Sequence, residues 1–251
     1  MPLRAVVFDL FDTLVDLRFE ELPRMEHEGR QLPASLKRLH ELVVERCPLD
    51  FGDFLRELHA VDIRMRAVQV DEGREISTQQ RFEDLAERLG IEDPALPAAL
   101  TDIHMGSIRS TVFVPEHHLA LLRELGSRVQ VGLCSNFTDT DTALAVVEDA
   151  GFREHFDAIV ISEAVGWRKP REEIFRAVLD ELGVAADEAL HVGDSLRADV
   201  AGGAAVGMRT AWVKRRVADP DKHRCEYDGL PPDHEVEDLA ELLALIERGE
   251  S

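Results

Sequence analysis

Four short apolar runs in this chain are each followed by a polar group, and this recurrence constrains the fold more than any other feature. Ala5-Val6-Val7-Phe8 closes on Asp9, and Val129–Cys134 runs into Ser135 and Asn136. Ala158–Ile161 precedes Gly166-Trp167-Arg168-Lys169-Pro170, and Ala189–Val192 precedes Gly193 and Asp194, with Asp199 five residues on. Largely apolar runs of this length read as strands buried on both faces. In open α/β sheets the carboxyl ends of such strands deliver reactive groups into one crevice.

From residue 113 the pattern alternates. Helices are expected at 117–125, 141–150, 172–182 and 198–205, with strands at 129–134, 158–161, 189–192 and 210–213. Gly126, Gly151 and Gly183 stop three of these helices. Alternation of this kind implies right-handed βαβ units and a parallel sheet covered on both faces. The polar stretch 214–235 contains Pro220, Pro231 and Pro232 and reads as a loop, followed by a helix over 236–246. Between the first strand and residue 113, no strand-like run is seen. Amphipathic helices are expected near 34–46, 52–69, 78–89 and 95–109; Leu36, Leu39, Leu42 and Val43 keep helical spacing, as do Phe82, Leu85, Ala86 and Leu89. The predicted fold is α/β: a doubly wound parallel-sheet core, residues 1–15 and 113–251, interrupted by an all-helical domain over 16–112.

A net charge of −21 would repel nucleic acid and anionic membranes, both of which are bound through clustered Lys and Arg. No apolar run approaches the roughly 20 residues needed to span a bilayer. The opening residues lack the pattern of a signal peptide. Cys47, Cys134 and Cys225 are odd in number and far apart, which argues against a disulfide framework. A cytoplasmic protein acting on a small molecule is expected. If that molecule is anionic, local groups must attract it against the global field: a metal ion, a lysine, helix N-termini. Arg24, Arg64, Arg66 and Arg74 lie in the 16–112 segment and are equally well read as solvated helix faces.

Individually, each polar group has a bland explanation. A strand-end Asp caps a turn, a Ser-Asn pair caps a helix, and acidic residues favour a helix's first turn. Together, in order and spacing, Asp9 to Leu14, Ser135-Asn136, Lys169-Pro170 and Gly193-Asp194-Ser195 with Asp199 resemble the four motifs of the haloacid dehalogenase superfamily. The resemblance runs nearly end to end. It implies a Rossmann-like core with a mobile helical cap inserted after the first motif, and a hydrolase in which Asp9 is the nucleophile. A carboxylate can attack phosphorus or an activated carbon and form an ester that water later cleaves. Ser135 and the Asn136 amide would cradle the transferred oxyanion, with Thr13 holding the loop. Lys169 would offset the charge of Asp9 and substrate, with Arg168 beside it as a further substrate contact. The family's metal, Mg²⁺, would be held by Asp9, the carbonyl of Phe11 and Asp194. Asp199 would either ligate or orient a bound water.

One position departs from the family's phosphatases. Where they carry a second Asp that protonates the leaving group, this chain has Phe11. Loss of a general acid–base typically costs about 10²–10⁴-fold in rate. Either Asp12 supplies the carboxylate, or the leaving group needs no acid, or the reaction is not phosphoryl transfer. Haloacid dehalogenases carry an aromatic residue here, but lack an acidic metal site of the Asp194/Asp199 kind. The resemblance therefore implies a Mg²⁺-dependent phosphatase of small phosphate esters. Hydrolysis at a carbon centre and non-hydrolytic anion binding are the alternatives.

Overall fold

The computed structural model describes residues 2–247. Met1 and 248–251, the extremes of the expected core span, lie outside the described residues. The chain forms two compact units, Met1–Asp16 with Phe113–Ser251, and Leu17–Val112. β1 (Ala5–Phe8) opens the first unit and a short β2 (Asp16–Leu17) leads out of it. The second unit holds β3 (Arg24–His27), β4 (Arg30–Pro33), α1 (Ser35–Val44), α2 (Phe51–Ala67), α3 (Thr78–Arg88) and α4 (Leu96–Arg109). β5 (Val112–Phe113) leads back and pairs with β2. Then follow α5 (Glu116–Gly126), β6 (Gln130–Ser135), α6 (Thr140–Asp149), β7 (Ala158–Ile161), a single turn α7 (Ser162–Val165), and α8 (Glu172–Leu182). β8 (Ala189–Gly193), α9 (Ala201–Val206), β9 (Arg209–Val213), α10 (Pro220–Glu226), β10 (His234–Val236) and α11 (Glu241–Glu247) complete the described chain.

The first unit is built on a six-stranded parallel sheet in the order β10-β9-β8-β1-β6-β7. Every residue of β1 and β8 is buried, as expected of central strands with both faces covered. On one face Val7, Cys134 and Val160 pack with Ile174, Phe175 and Val178 of α8. The chain fills the sheet outward from β1, first through β6 and β7, then on the other side through β8, β9 and β10. That reversal makes β1 the switch point, where strand ends open onto a crevice. Phe8 is in register with Leu133 and with Val192, so Asp9, Cys134 and Gly193 come next along three neighbouring strands.

The Leu17–Val112 unit has its own core, in which Leu39, Val43, Phe54, Leu58, Phe82, Leu85, Leu96 and Leu100 are buried together. α3 begins with a reciprocal capping box. Ser77 Oγ accepts from the Gln80 N–H, and Gln80 Oε1 accepts from the Ser77 N–H, each at 3.0 Å.

Four expectations are corrected. The insert is not all-helical, because β3 and β4 form an antiparallel hairpin, His27 opposite Arg30. Its two turn residues, Glu28 (φ 48°) and Gly29 (φ 73°), take the positive φ values that a tight hairpin turn requires. Charged residues throughout Arg24–Pro33 and the unusual Glu-Gly turn hide this hairpin from a search for apolar alternation. The 214–235 stretch is not all loop. Asp219 caps α10 by accepting from the Lys222 N–H, with Pro220 in the first turn, and β10 extends the sheet beside β9. Because Val236 ends that strand, the last helix starts at Glu241 rather than at 236. The helix expected over 198–205 begins as a π-helical turn, Leu196–Val200, before α9.

Candidate active site

The Asp9 N–H donates to the Val192 carbonyl at 2.9 Å, carrying the β1–β8 ladder one residue past β1. The chain then folds into a tight turn in which the N–H groups of Leu14 and Val15 both donate to the Leu10 carbonyl, at 2.8 and 2.9 Å. Asp12 sits inside this turn at φ 59°, a left-handed conformation in which Asp is among the better tolerated non-glycine residues. Its carboxylate pairs with Arg216 Nε at 3.3 Å. The Phe11 ring lies against Phe137, with centroids 4.5 Å apart. Phe11 thus presents a hydrocarbon ring, and the Asp12 carboxylate is engaged with a guanidinium.

Lys169 is buried, and its ammonium meets three acceptors, one for each N–H. These are Asp9 Oδ1 at 2.6 Å, Asp199 Oδ1 at 2.6 Å and the Cys134 carbonyl at 2.7 Å. The backbone of Lys169, at the cis bond to Pro170, is clamped by Asn136. The Asn136 amide donates to the Lys169 carbonyl at 3.0 Å and accepts from the Lys169 N–H at 2.7 Å. The Asn136 side chain thus positions the lysine, which leaves only its backbone amide to the expected oxyanion role. Arg168, half-buried, precedes this clamp, and its carbonyl accepts from the Arg171 N–H at 2.8 Å.

Asp199 is bonded through both oxygens. His191 Nε2 lies 2.9 Å from Oδ1, which Lys169 shares, and Oδ2 accepts from the Ser195 N–H at 3.0 Å. Its approach depends on Gly193, since a Cβ there would stand 2.2 Å from Asp199 Cγ. Asp194 follows, its carbonyl accepting from Trp212 Nε1 at 2.7 Å. One carboxylate oxygen from each of Asp9, Asp194 and Asp199 falls within 4.8 Å of the others.

Burial pushes the Asp9 carboxyl up to about 6, with Lys169 opposing and Asp199 reinforcing the shift. Burial, then the negative charges of Asp9, Asp199 and Asp12, push Asp194 up to about 8. Burial works against ionisation of Asp199 too, but Lys169 and His191 hold it well below the usual carboxylate range. Burial likewise disfavours the Lys169 ammonium, yet Asp199 and Asp9 raise its pKa above the ordinary value. Three carboxylates against one ammonium leave a deficit of two positive charges when all are ionised. A divalent cation with a preference for oxygen ligands matches both the charge and the donors. Two hydroxyls beside this cluster in sequence, Ser135 Oγ and Thr13 Oγ1, are buried without a hydrogen-bond partner. Buried hydroxyls are normally satisfied, and an oxyanion would supply what Ser135 Oγ lacks.

The structure brings Asp9, Lys169, Asp194 and Asp199 together, with Ser135 and Asn136 directly after the Cys134 carbonyl that Lys169 uses. Sequence reasoning missed His191, Trp212, Phe137 and Arg216. A histidine inside the apolar run of β8 was the available sign of a buried polar partner; the other three carried no local signal.

Residues 3–207 match the haloacid dehalogenase-like hydrolase family. The pyrimidine 5'-nucleotidase YjjG of Escherichia coli is 30% identical over 167 residues, 66% of this chain and 69% of its own. The ribulose-1,5-bisphosphate 5-phosphatase of Halopiger xanaduensis is 28% identical over 96% of this chain and 98% of its own. The fold is shared with the crystal structure of 2-haloacid dehalogenase from Pseudomonas syringae pv. tomato, at a TM-score of 0.72 and 22% identity, covering 98% and 99% of the two chains. No helix among the described residues is long and apolar enough to cross a membrane.

Proposed function

This chain belongs to the haloacid dehalogenase-like hydrolases, and from that premise we propose that it is a Mg²⁺-dependent phosphatase of small phosphate esters with Asp9 as nucleophile. The observation that carries this reading is the acid pair Asp9 and Asp194, both pushed above the usual carboxylate range in a cluster two positive charges short. Hydrolysis at carbon has no use for such a pair, whereas phosphoryl transfer has two needs for a cation: to hold the phosphate and to keep Asp9 ionised. The relatives' names, a nucleotidase and a bisphosphate phosphatase, support a small phosphate ester as substrate.

Asp9, Asp194 and the Phe11 carbonyl would hold Mg²⁺, which when bound supplies positive charge to the phosphoryl oxygens. An Asp9 oxygen bonds to phosphorus while the bond to the leaving oxygen breaks, its electron pair departing with that oxygen. Water then cleaves the aspartyl ester, releasing inorganic phosphate and restoring the carboxylate. Ser135 Oγ and the Asn136 N–H donate to the transferred oxygens, and Thr13 steadies the turn. Lys169, its three donors already committed, acts chiefly by keeping Asp9 charged and aimed. Asp199 serves the site by holding Lys169, and Arg168 is assigned to the substrate's outer rim.

With Phe11 at the acid's position, the leaving oxygen departs unprotonated. Rates across a series of phosphate monoesters should therefore fall steeply as the leaving group becomes more basic. Aryl phosphate turnover should need Mg²⁺, stop in EDTA and vanish in Asp9→Asn. Phe11→Asp should raise the rate on alkyl phosphates by about 10²–10⁴-fold and flatten the series. Turnover that persists in EDTA, with halide release from 2-halo acids, would instead support the carbon-centre reading that the Phe11–Phe137 pair favours. A Phe11→Asp enzyme no faster on alkyl phosphates would show that the acid is not merely missing.

A further inference from the structure

The first turn of α5 carries two consecutive histidines with different surroundings. His118 is fully buried, and its Nδ1 lies 2.7 Å from the Leu14 carbonyl. A carbonyl only accepts, so Nδ1 holds the ring's proton. Burial keeps the imidazole neutral by lowering its pKa. In that tautomer Nε2 is a bare lone pair, and this atom is buried with no hydrogen-bond partner. Its neighbour His117 meets it edge to face, with ring centroids 4.5 Å apart, and places Nε2 2.7 Å from Asp238 Oδ1. One ligand atom from each of His117, His118 and Asp238 lies within 4.8 Å of the others.

Other groups around these three do not close the site. Asp238 Oδ1 also accepts from the Ala240 N–H at 2.9 Å. Arg215 approaches Asp238 Oδ2 at 3.8 Å, but its charge is offset by the ion pair it makes with Asp16. Ligands about 2.0–2.2 Å from a tetrahedral ion stand roughly 3.3–3.5 Å apart. The present 2.7 Å contact of His117 with Asp238 would therefore widen by well under 1 Å. His117 can make that shift, because about half of its side chain is exposed.

We propose that His117, His118 and Asp238 form a second metal site, for a borderline transition cation of the Zn²⁺ class, separate from the Asp9/Asp194 pair. Two imidazole nitrogens and one carboxylate are the donor set of open three-ligand zinc sites and a poor one for Mg²⁺. A metal-ligating histidine characteristically donates its other N–H to a carbonyl or carboxylate, which fixes the tautomer. The His118–Leu14 bond does this here. Leu14 ends the turn that begins at Asp9, so occupancy of the second site would stiffen the turn bearing the nucleophile.

The test is calorimetric titration of the intact protein with Zn²⁺ in saturating Mg²⁺, repeated with Co²⁺ to read visible absorption. Wild type should bind one Zn²⁺, and Asp194→Asn should bind it as tightly. Asp238→Asn and His118→Gln should weaken binding by at least about 100-fold, and His117→Gln by at least about 10-fold. If the buried His118→Gln fails to fold, the two partly exposed positions carry the test, with circular dichroism confirming their fold. No Zn²⁺ binding by wild type, equal binding by all three ligand variants, or loss only in Asp194→Asn would each overturn the proposal. None of these readouts depends on phosphatase activity, so this site and the function proposed above stand or fall separately.

Discussion

At the scale of single residues, the site is organised around one buried ammonium. Lys169 reaches Asp9, Asp199 and a main-chain carbonyl, and its own backbone is held on both sides by Asn136. Removing one partner of a buried ion pair leaves an uncompensated charge, which typically costs about 3–5 kcal/mol. Asp199→Ala should therefore lower the stability measured by urea unfolding by about that much, and lower kcat with it. A loss below about 1 kcal/mol would mean that Asp9 alone satisfies the lysine. Gly193 belongs to the same arrangement, since any side chain there would collide with Asp199. At Phe11 the chemistry and the packing diverge. The ring gains an aromatic neighbour in Phe137, while a hydrocarbon side chain can neither give nor take a proton.

At the scale of elements, legibility follows pattern strength. β7 and α8 end where apolar periodicity and a stopping glycine say they should, at Ile161 and before Gly183. The β3–β4 hairpin was invisible because its strands are half-buried at most and carry charges, so neither face shows alternation. β10 was invisible for a different reason: three residues beside two prolines become a strand only because β9 offers them an edge. In the insert, the reciprocal Ser77–Gln80 cap starts α3. Ser77→Ala removes one half of it and should cost about 1 kcal/mol, seen as a lower urea midpoint with an unchanged slope. An unaltered midpoint would show that packing of Phe82 and Leu85 alone fixes the start of this helix.

At the scale of the whole molecule, the dominant electrostatic fact is an excess of acid, −21 overall and concentrated again at the site. Asp9 and Asp194 have folded pKa values of about 6 and about 8, against 3.8 for an ordinary Asp. The native state therefore binds their protons more tightly than the unfolded chain does. Their contribution to stability is full below about pH 4 and is lost as the pH rises through 6 and 8. Without metal, stability should fall over that window. If this cluster holds Mg²⁺ as proposed, the ion binds the ionised form, and the rise in Tm that it produces should grow with pH across the same range. Scanning calorimetry at several pH values, with Mg²⁺ and with EDTA, checks this. Asp194→Asn separates the site from general self-repulsion: a pH dependence undiminished in that variant would place its origin elsewhere.

Alternation of strand and helix, and the polar residues that follow the strands, were legible in the residues alone. Each of these is a local property, set by apolar period, glycine and proline breaks, and residue type within a few positions. The sequence also displayed the departure at Phe11, which is a matter of identity alone. How those polar residues share their hydrogen bonds was set by the folded chain. That Lys169 spends all three donors, that Asn136 serves the lysine's backbone, and that Asp12 faces Arg216 depend on partners between 30 and 204 positions away. The same holds for His118, whose tautomer is set by a carbonyl 104 positions earlier in the chain. Distances of that kind arise from the crossing of the strands at β1, and no local pattern carries them.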